Sequence, residues 1–567
     1  MSIKSRIPAT ISYLALIWII LVLLIAPNIN AITTVFWQDG ALTFEPFTRI
    51  LNSTRAMNSL RNSFILAPVL SLTVGFVGIS LVLITEYFDI KFSKILRLGY
   101  MTTLIYGSIV LVSGYRFLYG HNGYFTNFLA MFIPNFNTHW FQGFWAVLFV
   151  MTFSTTGFHM IFLRNAMRAV DFQTVEAAQN MGAKPLYILR RIVLPVLTPS
   201  LLVVTAFTFL AGLSATSAPL LVGGVDFQTI NPMILSFSRL GGSRDLAVLL
   251  ALILGGASVI LIALLAQLEK RGHYLSVSKV KTTITKQKIR NPIVNTIAHA
   301  YAYILFIIYV APVVFVILFS FTDALTISRR QLDLQSFTLQ NYINTFSNAS
   351  SLQPIGTSVI LAFFASFGVA ALAIVACRLL TKLKNKLNVF IEYALMIPWL
   401  LPNVLIALGL ITTFNQPRWF MFDQVLTGTM GIIIIGYLIV RIPFTFRITR
   451  ASFFTLDNGL EDAAKNLGAG IFYTFFRVVL PVILPSVLAV FALNFNTLLQ
   501  EFEMSIFMYH PLRVPLGVQI QNLTLDHAVA DNITIIFVYS VLLMVVSGIV
   551  LYLVYGRGEK ISEVGKK

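Results

Sequence analysis

The chain has 567 residues, of which 57% are hydrophobic and 11% are charged, and its formal net charge is +18. Soluble domains carry about 25% charged residues, so this composition excludes a soluble globular protein and indicates that most of the chain lies in lipid. The one cysteine, Cys377, falls within an apolar run. It can form neither a disulfide framework nor a Cys/His metal cluster.

Apolar runs of about 20 residues, the length that crosses a bilayer, recur throughout the chain. They predict an all-α polytopic membrane protein with twelve transmembrane helices, spans 1 to 12. The first run follows Lys4 and Arg6 in the manner of a signal peptide. It lacks a small-x-small cleavage site, so we expect it to be retained. The predicted spans are Ile11–Ala26, Ser63–Ile84, Leu98–Gly114, Phe144–Leu163, Leu197–Val222, Leu246–Leu265, Ile297–Phe321, Ser358–Val375, Phe390–Leu410, Met430–Ile448, Ile483–Phe507 and Ile533–Tyr555.

The distribution of basic residues predicts the orientation of these spans. With the N-terminus inside, ten of the 40 Lys and Arg residues fall in outer loops and 30 fall on the inner side. Cytoplasmic loops are enriched in Lys and Arg, so both termini are predicted to be cytoplasmic. This placement also explains the net charge, because basic residues at the inner face meet anionic lipid headgroups. The bilayer is therefore an expected partner and nucleic acid is not.

The chain contains an internal repeat. Residues 176–200 align with residues 462–486 without a gap at an offset of 286, and 13 of the 25 positions are identical. The repeat predicts a first unit (residues 1–268), a basic cytoplasmic linker (residues 269–291) and a second unit (residues 292–567). Since each unit has six spans, both would cross the membrane in the same orientation, as a parallel repeat.

The repeated stretch lies between spans 4 and 5 of the first unit and between spans 10 and 11 of the second. We call these segments, residues 164–195 and 450–481, the first and second EAA loops. Each is predicted to form two short helices joined by a sharp turn at Gly182 or Gly468, because glycine adopts positive φ without strain. Asp171 and Asp457 are placed to cap the first helix of each pair.

These loops resemble the EAA signature of binding-protein-dependent ABC importer permeases. The resemblance covers nearly the whole chain, and it implies the type I importer fold with one permease domain per half. In that family the loop forms a coupling helix that sits in a groove of the ATPase subunit. The residues that match, with Asp in place of Glu in the second copy and Glu461 preceding it, are Glu176, Ala177, Ala178, Gly182, Glu461, Asp462, Ala463, Ala464 and Gly468.

The resemblance also implies partners. The chain has no G-x-x-x-x-G-K-[ST] string, so it is not expected to be an enzyme or to bind a cofactor or metal itself. ATP and Mg would be held by a separate ABC ATPase, expected as a dimer. An extracytoplasmic substrate-binding protein would deliver the cargo to a permease in the bacterial inner membrane.

Two segments, FLYGHNGYFTNFL and APLLVGG, are most similar to the ferric-iron branch of the family. Relatives of that branch import thiamine, phosphonates or sugar phosphates, and these cargoes remain alternatives. The sequence itself contains no Tyr/His/Asp iron cluster.

Polar residues within spans 5 and 11 predict the substrate path, because such residues are costly in lipid and mark pathways. Glu501 and Glu503 would favour a passing cation, or they would lie at the outer interface bonded to water or backbone. Family members commonly have an acidic residue at the position of Glu501, where the first unit has Ala215. The candidate path residues are Ser214, Thr216, Ser217, Asn494, Asn496, Gln500, Glu501 and Glu503.

Two other classes of protein fit less well. A secondary transporter of the major facilitator type also has six plus six spans, but it predicts a Gly-Asp-Arg loop after span 2, where this chain reads EYFDIKFSKILR. A membrane-embedded enzyme predicts a cluster of His or Asp at one face of the membrane, whereas the seven histidines are scattered.

Overall fold

The computed structural model describes residues 3–553, except positions 39, 105–106, 122, 168–169, 241, 272–285, 330–333, 383–385, 422, 455 and 526–529. Most of the predicted linker, residues 272–285, therefore lies outside the described residues. The described residues form helices throughout, with one short hairpin in which Trp37–Gln38 (β1) pairs antiparallel with Ala41–Leu42 (β2). This architecture confirms the predicted all-α class.

The first unit holds fourteen α-helices within the described residues. They are α1 (Ile3–Ile19), α2 (Ala26–Phe36), α3 (Glu45–Asn52), α4 (Thr54–Val82), α5 (Ser93–Tyr100), α6 (Ser108–Tyr119), α7 (Tyr124–Phe132), α8 (Phe144–Met167), α9 (Phe172–Asn180), α10 (Pro185–Ile188), α11 (Leu194–Leu213), α12 (Ser217–Val222), α13 (Ile230–Arg239) and α14 (Arg244–Arg271).

The second unit repeats this order from α15 onward. Its described helices are α15 (Pro292–Ser320), α16 (Ala324–Arg329), α17 (Gln340–Ser347), α18 (Ala349–Lys382), α19 (Lys386–Met396), α20 (Asn403–Phe414), α21 (Met430–Phe454), α22 (Asn458–Asn466), α23 (Ile471–Thr474), α24 (Leu480–Leu499), α25 (Ser505–Met508), α26 (Leu516–Leu525) and α27 (Ala530–Leu551).

Ten helical segments among the described residues are long and apolar enough to cross a membrane, and the number rises to twelve if each of two bent pairs is counted as one span. The bent pairs correct the predicted spans 3 and 9. Ser93–Leu104 and Ser108–Phe132 meet at 112°, and Leu387–Trp399 and Asn403–Phe414 meet at 106°. Pro402 explains the second bend, because proline disfavours helical geometry at the residue before it. Hydropathy alone cannot distinguish such a bend from a straight helix.

Spans 5 and 11 also end earlier than predicted. The helices stop at Leu213 and Leu499, whereas the predicted spans continue to Val222 and Phe507. Each is followed by a few non-helical residues and a short helix, α12 or α25. The candidate path residues that follow Leu213 and Leu499 therefore lie at helix breaks and not on continuous helices.

Proline also shapes the segment that joins each EAA loop to its span. The π-helical turns Leu189–Val193 and Phe475–Val479 immediately precede Leu194–Pro195 and Leu480–Pro481. A proline inside a helix removes an N–H donor and its ring clashes with the carbonyl four residues earlier, so a wider turn at that point relieves the clash. As a result, α10 runs into α11 and α23 into α24 as single helical segments, Pro185–Leu213 and Ile471–Leu499.

Each unit has a three-helix centre, and the first span of each unit crosses to the other. Helices α4, α8 and α11 pack together in the first unit, as α18, α21 and α24 do in the second. Helix α2 packs against α20, and α15 packs against α5 and α6. In both crossings a glycine of one unit faces a proline of the other, Gly409 with Pro27 and Gly114 with Pro312. The two units are therefore interlocked by helices, independently of the linker.

Candidate functional site: the EAA loops and the broken fifth spans

Each EAA loop has the predicted pair of short helices and glycine turn. The carboxylate of Asp171 accepts a hydrogen bond at 3.0 Å from the backbone N–H of Gln173, which caps α9. The carboxylate of Asp457 accepts the equivalent bond from Gly459 at 2.9 Å. Gly182 and Gly468 have φ values of +82° and +81°. The two loops therefore have the same local geometry, because each contains the same aspartate cap and the same glycine turn.

The tips of the two loops expose apolar side chains at matched positions. Met181 is 81% exposed and its counterpart Leu467 is 88% exposed. Behind each tip, the first residues of α10 and α23 add further exposed large hydrophobic side chains. These are Leu186, Tyr187, Phe472 and Tyr473. Each tip thus forms an apolar patch on a rigid turn.

In the second loop, one acidic residue forms a buried ion pair and its neighbours are exposed. Glu461 is 5% exposed, and it forms a bidentate ion pair with Arg378 at the end of α18, with Nη2 to Oε2 at 3.1 Å. Asp462 is exposed and pairs with Lys465 at 3.0 Å. Ala463 is exposed and Ala464 is half-buried. Glu461 therefore anchors α22, while Asp462 lies on its open face.

The first loop is anchored differently. Glu176 and Ala177 are exposed, and Ala178 is buried. At the end of α8, Arg164 pairs with Glu86 at 3.0 Å, and Glu86 also lies 3.5 Å from Arg97. In the second unit the counterpart of Arg164, Arg450, pairs with Glu392 in α19.

Comparison with known proteins decides the family. A family model described as "binding-protein-dependent transport system inner membrane component" matches residues 123–271 and 368–560, once in each unit. A Sinorhizobium fredii protein described as an ABC transporter permease is 34% identical over 554 residues, which is 96% of each chain. The chain belongs to this permease family. It is thus a multi-pass ABC importer permease with two fused units.

Two other relatives of the permease differ in their cargo. A ferric transport system permease of Actinobacillus pleuropneumoniae is 20% identical over 503 residues, 87% of this chain and 71% of that one. A 2-aminoethylphosphonate transport permease of Salmonella typhimurium is 25% identical over 210 residues, 37% of this chain and 77% of that one.

At the break after α24, the carboxylate of Glu501 is hydrogen-bonded to the backbone of the same chain. It accepts hydrogen bonds from the backbone N–H groups of Met504 at 2.6 Å and Ser505 at 3.0 Å. The Tyr437 hydroxyl in α21 also lies near this carboxylate. Arg441, one turn along α21, interacts electrostatically with the same carboxylate. Glu501 thus caps the start of α25, and its negative charge offsets the positive charge of Arg441 within the helical bundle. Glu503, two residues on, is half-exposed.

Other path residues of the second unit lie deeper in the bundle. Asn494 is fully buried, and its amide donates to the Thr445 hydroxyl at 2.7 Å. The Gln500 amide reaches Ser547 in α27 and lies 3.5 Å from the Asn496 side-chain oxygen. These contacts join α24 to α21 and to α27.

The break after α11 in the first unit is held by an amide instead of a carboxylate. The Asn231 side chain in α13 donates to the backbone oxygen of Ser214 at 2.7 Å and to the Thr216 hydroxyl at 3.0 Å. The Ser217 hydroxyl lies 3.0 Å from that of Ser108, at the start of α6. Asn231 therefore holds the break in the first unit, where Ala215 stands at the position of Glu501.

The breaks of the two units meet at the start of α6. A Cβ built on Gly107 would lie 3.0 Å from the Cβ of Gln500 in the second unit, while the next residue, Ser108, touches Ser217 in the first. The structure thus brings Ser217 and Gln500 close to two adjacent residues of the chain. Glu501 and Ser214 belong to separate hydrogen-bonded groups.

The sequence prediction missed several polar residues at these breaks. Asn231, Ser108 and Ser547 lie outside spans 5 and 11, so a search confined to those spans could not find them. Tyr437 and Thr445 had a usable signal, because together with Arg441 they recur every four residues in span 10. That spacing places polar side chains on one face of a helix.

Proposed function

We propose that this permease is the membrane subunit of an ATP-driven, binding-protein-dependent importer, with its EAA loops and both termini in the cytoplasm. Each EAA loop would dock in one subunit of a dimeric ABC ATPase, which holds ATP and Mg. The observation that carries the proposal is the pair of exposed apolar tips, Met181 and Leu467, on glycine turns of the same geometry. Large exposed apolar side chains rimmed by polar residues mark protein interaction sites.

The docking proposal is tested by co-purification with an ATPase encoded nearby. The test variant is Gly182→Arg with Gly468→Arg, which forces a side chain onto two positive-φ positions. Gly470→Lys is the matched control, because the first loop already has a lysine, Lys184, at the equivalent position. We expect the wild type and the control to retain the ATPase, and the double variant to insert in the membrane but to lose it. If no ATPase binds the wild type and uptake follows an ion gradient alone, the proposal is wrong.

We further propose that the cargo, delivered by an extracytoplasmic substrate-binding protein, is ferric iron. Support comes from the length of the similarity, since the ferric permease aligns with 87% of this chain and so includes both units. The phosphonate relative aligns with 37% of it. The test measures uptake of radiolabelled Fe³⁺ by cells that express the permease, its ATPase and its binding protein. Unlabelled thiamine, 2-aminoethylphosphonate and glycerol phosphate serve as competitors. We expect labelled Fe³⁺ to be taken up and these compounds to leave its uptake unchanged, and an absence of Fe³⁺ uptake would overturn the proposal.

A further inference from the structure

The end of the linker is hydrogen-bonded to the first unit through a single β-bridge. Gln287 donates its backbone N–H to the carbonyl oxygen of Tyr87 at 2.8 Å, and its own carbonyl accepts from the N–H of Asp89 at 3.0 Å. These bonds form a parallel bridge between Gln287 and Phe88, immediately after the π turn that ends span 2. The linker is therefore fixed to the first unit before α15 begins.

The side chains of this segment alternate as in a strand with one covered face. Gln287 and Ile289 are half-buried, whereas Lys286, Lys288 and Arg290 are exposed. Ile289 packs against a cluster of buried hydrophobic residues that includes Tyr87 and Ile90. Period-two alternation of this kind accompanies an extended backbone with one buried side.

The same residue also contacts the first EAA loop. The Nε2 of Gln179, in α9, donates a hydrogen bond to the Oε1 of Gln287. Gln287 therefore joins three segments: the linker by its position in the chain, the end of span 2 by its backbone, and α9 by its side chain.

The second unit makes the corresponding connection without a linker. There, Glu461 of α22 pairs directly with Arg378 at the end of α18, which is the span equivalent to α4. At the offset of 286, the position of Glu461 is occupied in the first unit by Val175, which is fully buried. The first EAA helix thus lacks the carboxylate that anchors the second.

From this we infer that residues 286–289 are a functional part of the first EAA loop, with Gln287 as a positioning residue that holds α9 against the segment that ends span 2. The Arg378–Glu461 pair has this role in the second unit. The inference rests on the proposed docking of the EAA loops on an ATPase. A bidentate ion pair is stronger than a hydrogen bond between two neutral amides, so the first loop is held less firmly than the second, and its position depends on the linker.

The test compares the cross-linking of each loop tip to the ATPase, using two single-cysteine variants of the permease. Met181→Cys and Leu467→Cys are introduced separately, with the buried Cys377 replaced by Ala, and each is cross-linked to the ATPase in proteoliposomes. Gln287→Pro removes the N–H that bonds to Tyr87. Lys288→Pro is the matched control, since the described residues show no backbone hydrogen bond from the Lys288 N–H.

We expect Gln287→Pro to lower cross-linking at position 181 at least threefold and to leave position 467 unchanged, while Lys288→Pro changes neither. Gln287→Ala and Gln179→Ala should each give a smaller loss at position 181, and together no more than one alone. An unchanged yield at position 181, or an equal loss at both positions, overturns the inference. If neither tip cross-links in the parent protein, the docking proposal itself fails, and the inference is withdrawn with it.

Discussion

Gly409 of the second unit lies directly against Pro27 of the first, and a Cβ built on it would be 2.9 Å from the Pro27 carbonyl oxygen. The equivalent pair in the other crossing is looser, because a Cβ on Gly114 would lie 3.4 Å from the Cβ of Pro312. The two crossings, although related by the repeat, therefore differ in how closely their backbones approach.

This difference predicts unequal effects of the same substitution. Gly409→Ala is expected to lower the free energy of unfolding by about 1–3 kcal/mol, because a backbone carbonyl cannot move aside as a flexible side chain can. Gly114→Ala should be neutral or stabilising, since alanine favours a helix over glycine by about 1 kcal/mol. Thermal unfolding of the purified permease in detergent measures both. Equal melting temperatures for the two variants would contradict the close approach at Gly409.

The ion pair between Arg378 and Glu461 predicts a localised loss of stability. Glu461→Gln is expected to cost about 1.5–3 kcal/mol, the usual range for hydrogen bonds to charged groups. Asp462→Asn is the neighbouring control and should cost less than about 0.5 kcal/mol, because its pair with Lys465 is exposed. Replacing both Arg378 and Glu461 by Met should recover most of the loss, since it leaves no unpaired charge. A Glu461→Gln variant as stable as Asp462→Asn would contradict the assignment of Glu461 as the anchor of α22.

The positive φ of Gly468 predicts a conformational cost that is independent of packing. A Cβ at Gly468 or at Gly470 would meet no atom within 4 Å, but only Gly468 has positive φ. Gly468→Ala should therefore cost about 1–2 kcal/mol and reduce ATPase stimulation, whereas Gly470→Ala should do neither. Stimulated ATP hydrolysis and thermal unfolding, measured on both variants, test this difference.

Glu501 and Glu503 are predicted to respond differently to loss of charge. Glu501→Gln removes the negative charge that faces Arg441, so thermal stability should fall together with transport. Glu503→Gln should leave stability unchanged, and a rise in the KM for the cargo would then place Glu503 on the substrate path. Unfolding temperature and uptake kinetics separate these outcomes. A Glu501→Gln variant with unchanged stability and a raised KM would make Glu501 a cargo ligand instead.

Serines in spans 2 and 8 cap helices that follow them far along the chain. The hydroxyl of Ser63 accepts from the backbone N–H of Ile230 at 2.9 Å, and that of Ser358 from Leu516 at 2.8 Å. Replacing either serine by Ala should cost about 1 kcal/mol. Ser366→Ala is the control, because the Ser366 hydroxyl is buried with no hydrogen-bond partner among the described residues, and its removal should be neutral or stabilising. Thermal unfolding in detergent measures all three variants. Equal shifts of the unfolding temperature in all three would contradict the assignment of Ser63 and Ser358 as caps.

The parts of the structure that the sequence predicted well are those fixed by neighbouring residues. In the EAA loops, an aspartate cap, a glycine turn and a Leu-Pro pair lie within 25 residues of one another, so each local preference acts without distant contacts. The apolar spans were located for a similar reason, because hydropathy is a property of the segment itself.

The remaining features depend on contacts between distant segments. Hydropathy does not record the bend at Pro402 or the end of a helix at Leu499, since the apolar run continues past both. For Glu501 the sequence leaves two interpretations open, a residue of the substrate path or a group bonded to water or backbone, and its bonds to the N–H groups of Met504 and Ser505 form only where the helix ends. The pairing of Gln287 with the end of span 2 joins segments that are far apart in the chain, so neither segment predicts it alone.

The crossing of the first spans also has a consequence for biosynthesis. The main partner of α2 in the other unit is α20, and Phe36 and Asn403, where these helices end and begin, are 367 positions apart. At about 5–20 residues per second, the ribosome needs about 20–70 s to produce that partner after α2 has emerged. During that time the first helix must stay in the bilayer with its crossing face covered by lipid or by an insertion factor. Truncated chains that end before α20 would therefore be early substrates for membrane proteases.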